Sequence, residues 1–231
     1  VNWVLSNLPL IGDRTLAHIG LSLPAIVFTF ILSIPLGWLA NRLRGGRGVF
    51  VGVLGILYAI PSLALFPITA LIIGVNLRAD ENVVFVLTIY GVAVMARSAA
   101  DGLASIDPDI IQSATAMGYG RWRRFWAVEL PLSGPVLLAG MRVVSVSTVS
   151  LVTVSGALGS VNLGLLFLDG FQRNIPAEII AGTVGTIIIA LVFDALIVLL
   201  GRILMPWQRA LSAPSRRVAR RIANRSSEVA A

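Results

Sequence analysis

Gln112-Ser-Ala-Thr-Ala-Met-Gly118, followed after nine residues by Val128-Glu-Leu-Pro131, is a short polar interruption in an otherwise apolar chain. Apolar segments of membrane-crossing length lie on both sides of it. A basic stretch with an embedded aromatic, Arg121-Trp122-Arg123-Arg124, lies within it. Just upstream, Asp107-Pro108 reads as an N-cap followed by proline at the first helical position. That predicts a short helix from Asp109 to about Met117, which Gly118 can end in the left-handed conformation. A second short helix, Arg121 to Glu129, should stop at Leu130-Pro131. Two short helices at a membrane surface form a knob that a partner's groove can grip. Trp122 and Phe125 would be its anchors, with Arg121, Arg123 and Arg124 for acidic rims or lipid headgroups. The plainer reading is an amphipathic loop resting on the headgroups.

Working outward, a transmembrane helix needs about 20 mostly apolar residues. Gly20 to Ala40 carries no charge and is the first candidate; Arg42, Arg44 and Arg47 then place the following loop in the cytoplasm. Gly48 to Leu77 is also free of charge. As one straight helix it would be about 45 Å long against a core of about 30 Å, so it must tilt or break. Pro61 and Pro67 are the expected breaking points, because proline removes a backbone donor and clashes with the preceding turn. The third span is Asn82 to Gly102, the fourth Ser133 to Ala157 and the fifth Glu178 to Met205. Between the last two, the stretch from Leu158 to Ala177 holds Gly159, Gly164, Gly170 and Pro176 and can dip back into the membrane. The expectation is an all-α polytopic membrane protein of about five spans, N-terminus outside and C-terminus inside. Its units are an extracytoplasmic segment 1–19, a transmembrane unit 20–205 containing the polar loop 105–131, and a basic cytoplasmic tail 206–231. The first residues lack a basic n-region and a small-residue cleavage site, so the first span should stay as an uncleaved anchor.

Composition agrees. The chain is 57% hydrophobic and only 13% charged, with a mean hydropathy of +0.90, where a soluble domain carries about 25% charged residues. The net charge of +7 could suggest nucleic acid. The arginines instead cluster in loops and at the C-terminus, the positive-inside pattern, so no nucleic-acid partner is expected. There is no Cys, which excludes disulfides and thiolate chemistry. All 18 basic residues are Arg, so a phosphate-binding loop of the GKS type is impossible. With His18 as the single histidine there is no HExxH site, and no metal site is expected.

Several residues inside the spans call for explanation. Intramembrane carboxylates are costly and are usually paired or functional. At 1.5 Å per residue from the outer ends, Asp194 lies about 24 Å deep and Arg97 about 22 Å deep. Depth therefore favours an Asp194–Arg97 pair, with Arg142 as second choice. The pair is either structural or a gate or proton relay. Pro61-Ser62, with Tyr58 beside them, can open the second helix toward a pathway or merely kink it. Ser147 and Ser150 lie in a run of small hydroxyl residues of the fourth span, suited to close helix packing or to lining a polar pathway. The tail cluster Pro214 to Arg225 suits anionic lipid or simply fixes topology.

At this point the chain resembles a known family. Permease subunits of binding-protein-dependent ABC importers carry a cytoplasmic loop of the pattern E-A-A-x-x-x-G, nine residues, then I-x-L-P. Ala114, Gly118, Val128, Leu130 and Pro131 stand in that register. Gln112 replaces the family's Glu and Ser113 its first Ala. The loss of charge at Gln112 removes any salt bridge that the Glu would make to an ATPase and leaves the helix placement intact. Ile34-Pro-Leu-Gly37, Tyr58-Ala-Ile-Pro-Ser-Leu-Ala-Leu-Phe66 and Pro135-Val-Leu-Leu-Ala-Gly-Met-Arg142 look like the branch that imports glycine betaine, choline, carnitine and similar osmoprotectants. The Gly156-to-Gly164 stretch is similar to a glycine-rich segment there, and the resemblance covers about residues 12 to 205.

The resemblance implies a methionine-importer-like fold in a bacterial plasma membrane and a transport subunit rather than an enzyme. It further implies a second permease subunit, identical or paralogous, a separate extracytoplasmic binding protein, and a separate ABC ATPase that holds the ATP and Mg. No cofactor is expected in this chain. The segment from Gln112 to Pro131, including Arg121 and Trp122, would be the ATPase-coupling loop. An importer of methionine or another small solute is the nearest alternative, and a proton-coupled carrier using Asp194 and Arg97 is the alternative of a different class.

Overall fold

The computed structural model describes residues 2–43 and 46–207. The cluster Pro214 to Arg225 and most of the basic tail lie outside the described residues. Among the described residues all regular structure is helical. In chain order the elements are α1 (Asn2–Ser6), α2 (Leu8–Arg42), α3 (Arg47–Ala59), α4 (Ser62–Ile73), α5 (Asp80–Ala104), α6 (Pro108–Ala116) and α7 (Arg121–Arg124). A π turn (Phe125–Glu129), α8 (Leu130–Ala157), α9 (Leu163–Gln172) and α10 (Pro176–Leu204) complete the order. α2, α5, the continuous rod from α7 to the end of α8, and α10 are each long and apolar enough to cross a membrane, and α3 with α4 brings the number of spans to five if that bent pair counts as one.

The helix that contains the first candidate span, α2, begins at Leu8, upstream of Gly20, with Pro9 in its first turn preorganised for helix. The second span does break, and it breaks at one proline of the two. Ile60 and Pro61 are extended, and α3 and α4 meet at 101°. Pro67 stays inside α4. The break leaves the Ile60 carbonyl without a helical partner, and α5 supplies one, with further bonds to α4 and the loop after it. The Tyr90 hydroxyl donates to the Ile60 carbonyl. The Asn82 amide donates to the Phe66 carbonyl at 3.1 Å and the Leu77 carbonyl at 3.0 Å, while its oxygen accepts from the Thr69 hydroxyl at 2.7 Å. Buried backbone groups in an apolar medium demand such partners.

α5 is the central element and packs most extensively on α2 and α8. In a bilayer, helices associate through close packing more than through hydrophobic burial, so small residues mark the seams. A Cβ on Gly37 of α2 would come within 2.6 Å of Ala99 on α5, and one on Gly140 of α8 within 2.6 Å of Ser98. Leu21, Phe66, Val86, Leu87 and Val152 fill one core. A second core joins α8, α9 and α10 through Val149, Leu163, Leu166 and Ile189. The stretch between the fourth and fifth spans thus forms a short apolar helix wedged against both. Gly164 lies so close to α8 that a Cβ would overlap the Thr153 carbonyl, and Asn162 caps α9 by accepting from the Gly164 N–H at 2.7 Å.

Candidate functional site

The polar interruption folds as a compact knob at one end of the bundle. Asp107 caps α6 by accepting from the Asp109 N–H at 2.9 Å, with Pro108 in the first turn. Gly118 ends the helix at φ +84°, and the Tyr119 N–H reaches back to the Ala114 carbonyl at 3.1 Å. Gln112 and Ser113 are exposed on α6 together with Ile110 and Met117, whereas Ala114 is buried. α6 therefore presents a free, mostly uncharged face and tucks its alanine inward.

The expected stop at Leu130-Pro131 does not occur. α7, the π turn and α8 form one helix of 37 residues from Arg121 to Ala157. Proline inside an α-helix removes one hydrogen bond and clashes with the carbonyl four residues back. Here the strain is relieved by a wider turn, in which the Leu130 N–H bonds to the Phe125 carbonyl five residues back. Val128, Leu130 and Pro131 are thus part of a transmembrane rod, not the end of a surface helix.

The knob is locked to itself and to the bundle. Arg124 donates to Glu129 at 2.7 Å and to the Thr115 hydroxyl at 2.8 Å, tying α6 to the start of the rod. Phe125 is buried with Leu103 and Ile106. Trp122 stacks on Trp38 of α2 with ring centroids 5.6 Å apart. One face of the Trp122 ring lies against the protein's own α2 while the side chain stays largely exposed; Trp38 is a platform that the sequence reading does not anticipate. Aromatic spacing across 84 positions leaves no mark in a linear pattern. Arg121 and Arg123 are exposed, the latter lying over Tyr119.

Deeper in the bundle, Asp194 of α10 pairs with Arg142 of α8, not with Arg97. The guanidinium makes two bonds to the carboxylate, at 2.6 and 2.8 Å. α10 packs chiefly on α8 and α9, so Arg97 on α5 is out of reach and has no ion pair among the described residues. It is exposed. Tyr58 and Pro61 are exposed near the α3–α4 break, where Tyr58 meets Tyr90 edge to face at 5.9 Å; Ser62 opens α4. Ser147 is half-buried and Ser150 exposed on α8, while the neighbouring Ser145 and Thr148 are buried in packing. Two grooves, one between α2, α3 and α5 and one between α2, α8 and α10, are lined by none of Tyr58, Pro61, Ser62, Ser147 and Ser150. Among the described residues no cluster of His, Cys, Asp or Glu has metal-binding composition.

The chain is 30% identical over 193 residues to the glycine betaine/carnitine/choline transport system permease protein OpuCD of Bacillus subtilis, covering 83% of each chain. It is 28% identical to the choline transport system permease protein OpuBB of the same organism, covering 84% of this chain and 88% of that one. It is also 28% identical to the osmoprotectant import permease protein OsmW of Salmonella typhimurium, covering 89% and 97%. In fold it is similar to the inward-facing MetNI methionine ABC transporter, with a TM-score of 0.75 at 20% identity over 85% of this chain and 97% of that one. Residues 33–210 match the family model for the inner membrane component of binding-protein-dependent transport systems, and the chain belongs to that family.

Proposed function

We propose that this permease imports an osmoprotectant such as glycine betaine, choline or carnitine, delivered by a separate extracytoplasmic binding protein and driven by a separate ABC ATPase. The observation that carries the substrate class is the similarity, over more than four-fifths of the chain, to permeases named for those solutes. Likeness to the methionine transporter rests on fold at 20% identity and supports the architecture alone. A proton-coupled carrier has no support from a family whose members work with binding proteins. The bidentate Arg142–Asp194 bond is accounted for as a structural tie between α8 and α10.

In this reading the N-terminus is outside, and the knob lies in the cytoplasm against an ATPase that holds ATP and Mg. Two permeases, identical or paralogous, flank a central pathway. Closure of the ATPase pair draws the two knobs together, and hydrolysis resets them. A ligand can shift a two-state equilibrium only by its differential contact with the two states. The exposed face of α6 (Ile110, Gln112, Ser113, Met117) is the surface available for that contact. The Arg124 links and the Trp38–Trp122 stack keep the knob from yielding. The rod from Arg121 to Ala157, about 55 Å long at 1.5 Å per residue, carries its displacement across the bilayer.

The test of substrate class is competition in proteoliposomes containing permease, ATPase and binding protein. Unlabelled choline or carnitine should suppress ATP-driven uptake of radiolabelled glycine betaine, and methionine should not. Suppression by methionine alone would transfer the protein to another substrate class.

A further inference from the structure

Next to the knob, α2, the π turn, α8 and α10 border an open groove of about 860 Å³. Its walls are apolar, with Ile34, Leu137, Leu200 and Leu204 facing it. At the knob end Trp38, Trp122, Trp126 and Trp207 converge on it. Four of the chain's five tryptophans thus surround one mouth. Tryptophan favours the boundary between hydrocarbon and headgroups, so the mouth lies at headgroup level and the walls lie in the acyl region.

The charge at that mouth is one-sided. The Arg42 guanidinium lies over the Trp38 ring, 3.4 Å from its centroid. The charges of Arg121, Glu129 and Arg124 all bear on it, Arg121 the most among them. Arg124 and Glu129 are already bonded to each other. Arg42 and Arg121 are exposed and form no ion pair among the described residues. Arg42 and Arg121, each beside a tryptophan that lines the mouth of an apolar groove, are complementary to an amphipathic anion. Guanidinium suits phosphate because its planar fork can donate two parallel bonds, and basic pockets between transmembrane helices hold anionic headgroups.

We propose that this groove is a site for an anionic phospholipid, with its phosphate on Arg42 and Arg121 and an acyl chain along Ile34, Leu137, Leu200 and Leu204. The lipid would bridge α2 and the start of the α7–α8 rod, so the charge of the surrounding leaflet would bear on the knob.

Brominated lipids quench tryptophan on contact, and the groove carries its own reporters. The permease is reconstituted with its partner subunits in phosphatidylcholine vesicles doped with brominated phosphatidylglycerol or brominated phosphatidylcholine. The expected result is half-maximal quenching at a several-fold lower mole fraction of the glycerol lipid. Arg42→Gln should erase about five-fold of that preference, the weight of one arginine near an anionic surface. Arg42→Lys, which keeps the charge, should retain most of it. Leu200→Phe, which fills the slot without touching a charge, should weaken quenching by both lipids. Equal quenching by the two lipids in the unaltered protein would reduce the groove to ordinary lipid contact and overturn the proposal. Quenching that appears only after removal of residues 208–231 would mean that the chain's own tail fills the groove, and would overturn it equally.

Discussion

Gly118 stands at φ +84° with open space where a Cβ would go, so its identity answers to backbone conformation and not to crowding. A β-branched residue there costs about 1–2 kcal/mol, while asparagine tolerates the left-handed region. Gly118→Val should lower coupled uptake roughly ten-fold with normal membrane insertion, and Gly118→Asn should stay near the parent; uptake normalised to the amount of permease in the vesicles reads both. Asp194 makes a different case. Asp194→Asn should reduce the amount of assembled permease, the exchange Arg142→Asp with Asp194→Arg should restore it, and Arg97→Gln should leave it unchanged, as read by size-exclusion profiles of extracted protein. The carboxylate itself was legible in the sequence because charge is rare inside a span. Both candidate partners were legible too, but depth ranked Arg97 above Arg142, since depth along a straight helix says how far a residue lies from the surface and nothing about which neighbour it faces.

Among the elements, the spans were legible because length and hydropathy determine them in a bilayer, and the cap at Asp107 and the stop at Gly118 fell where their chemistry demands. The end of the second short helix was misread. Pro131 carries a stop signal by itself, but the π turn before it moves the offending carbonyl away and lets the rod continue. Deleting Ala127 should force that turn toward α geometry and rotate α7 by about 100° relative to α8, which the rest of the bundle holds in place. Trp122 would leave Trp38 and Arg124 would leave Thr115. ATPase activity should persist without uptake, and tryptophan emission should shift to longer wavelength. The wedge of α9 follows a simpler rule. Gly164 admits no side chain beside the Thr153 carbonyl, so Gly164→Ala should displace α9 from α8 and lower the thermal midpoint of the extracted protein by several degrees. The glycine-rich stretch was visible in the sequence; its reason, a contact between backbones, needs the third dimension.

At the scale of the whole molecule, a bundle knit by small-residue seams carries one rigid projection, and that projection is continuous with a transmembrane rod. In the proposed function, force enters through it. The chain has no cysteine, so Ser113→Cys creates a single thiol on the exposed face of α6. Paired with a cysteine in the docking groove of the ATPase, it allows the contact to be locked and released. ATP-driven uptake of glycine betaine in proteoliposomes should stop on oxidation and return on reduction. Uptake that continues while the two chains are cross-linked, or a failure of the Ser113→Cys thiol to cross-link to any position in the ATPase groove, would contradict the account.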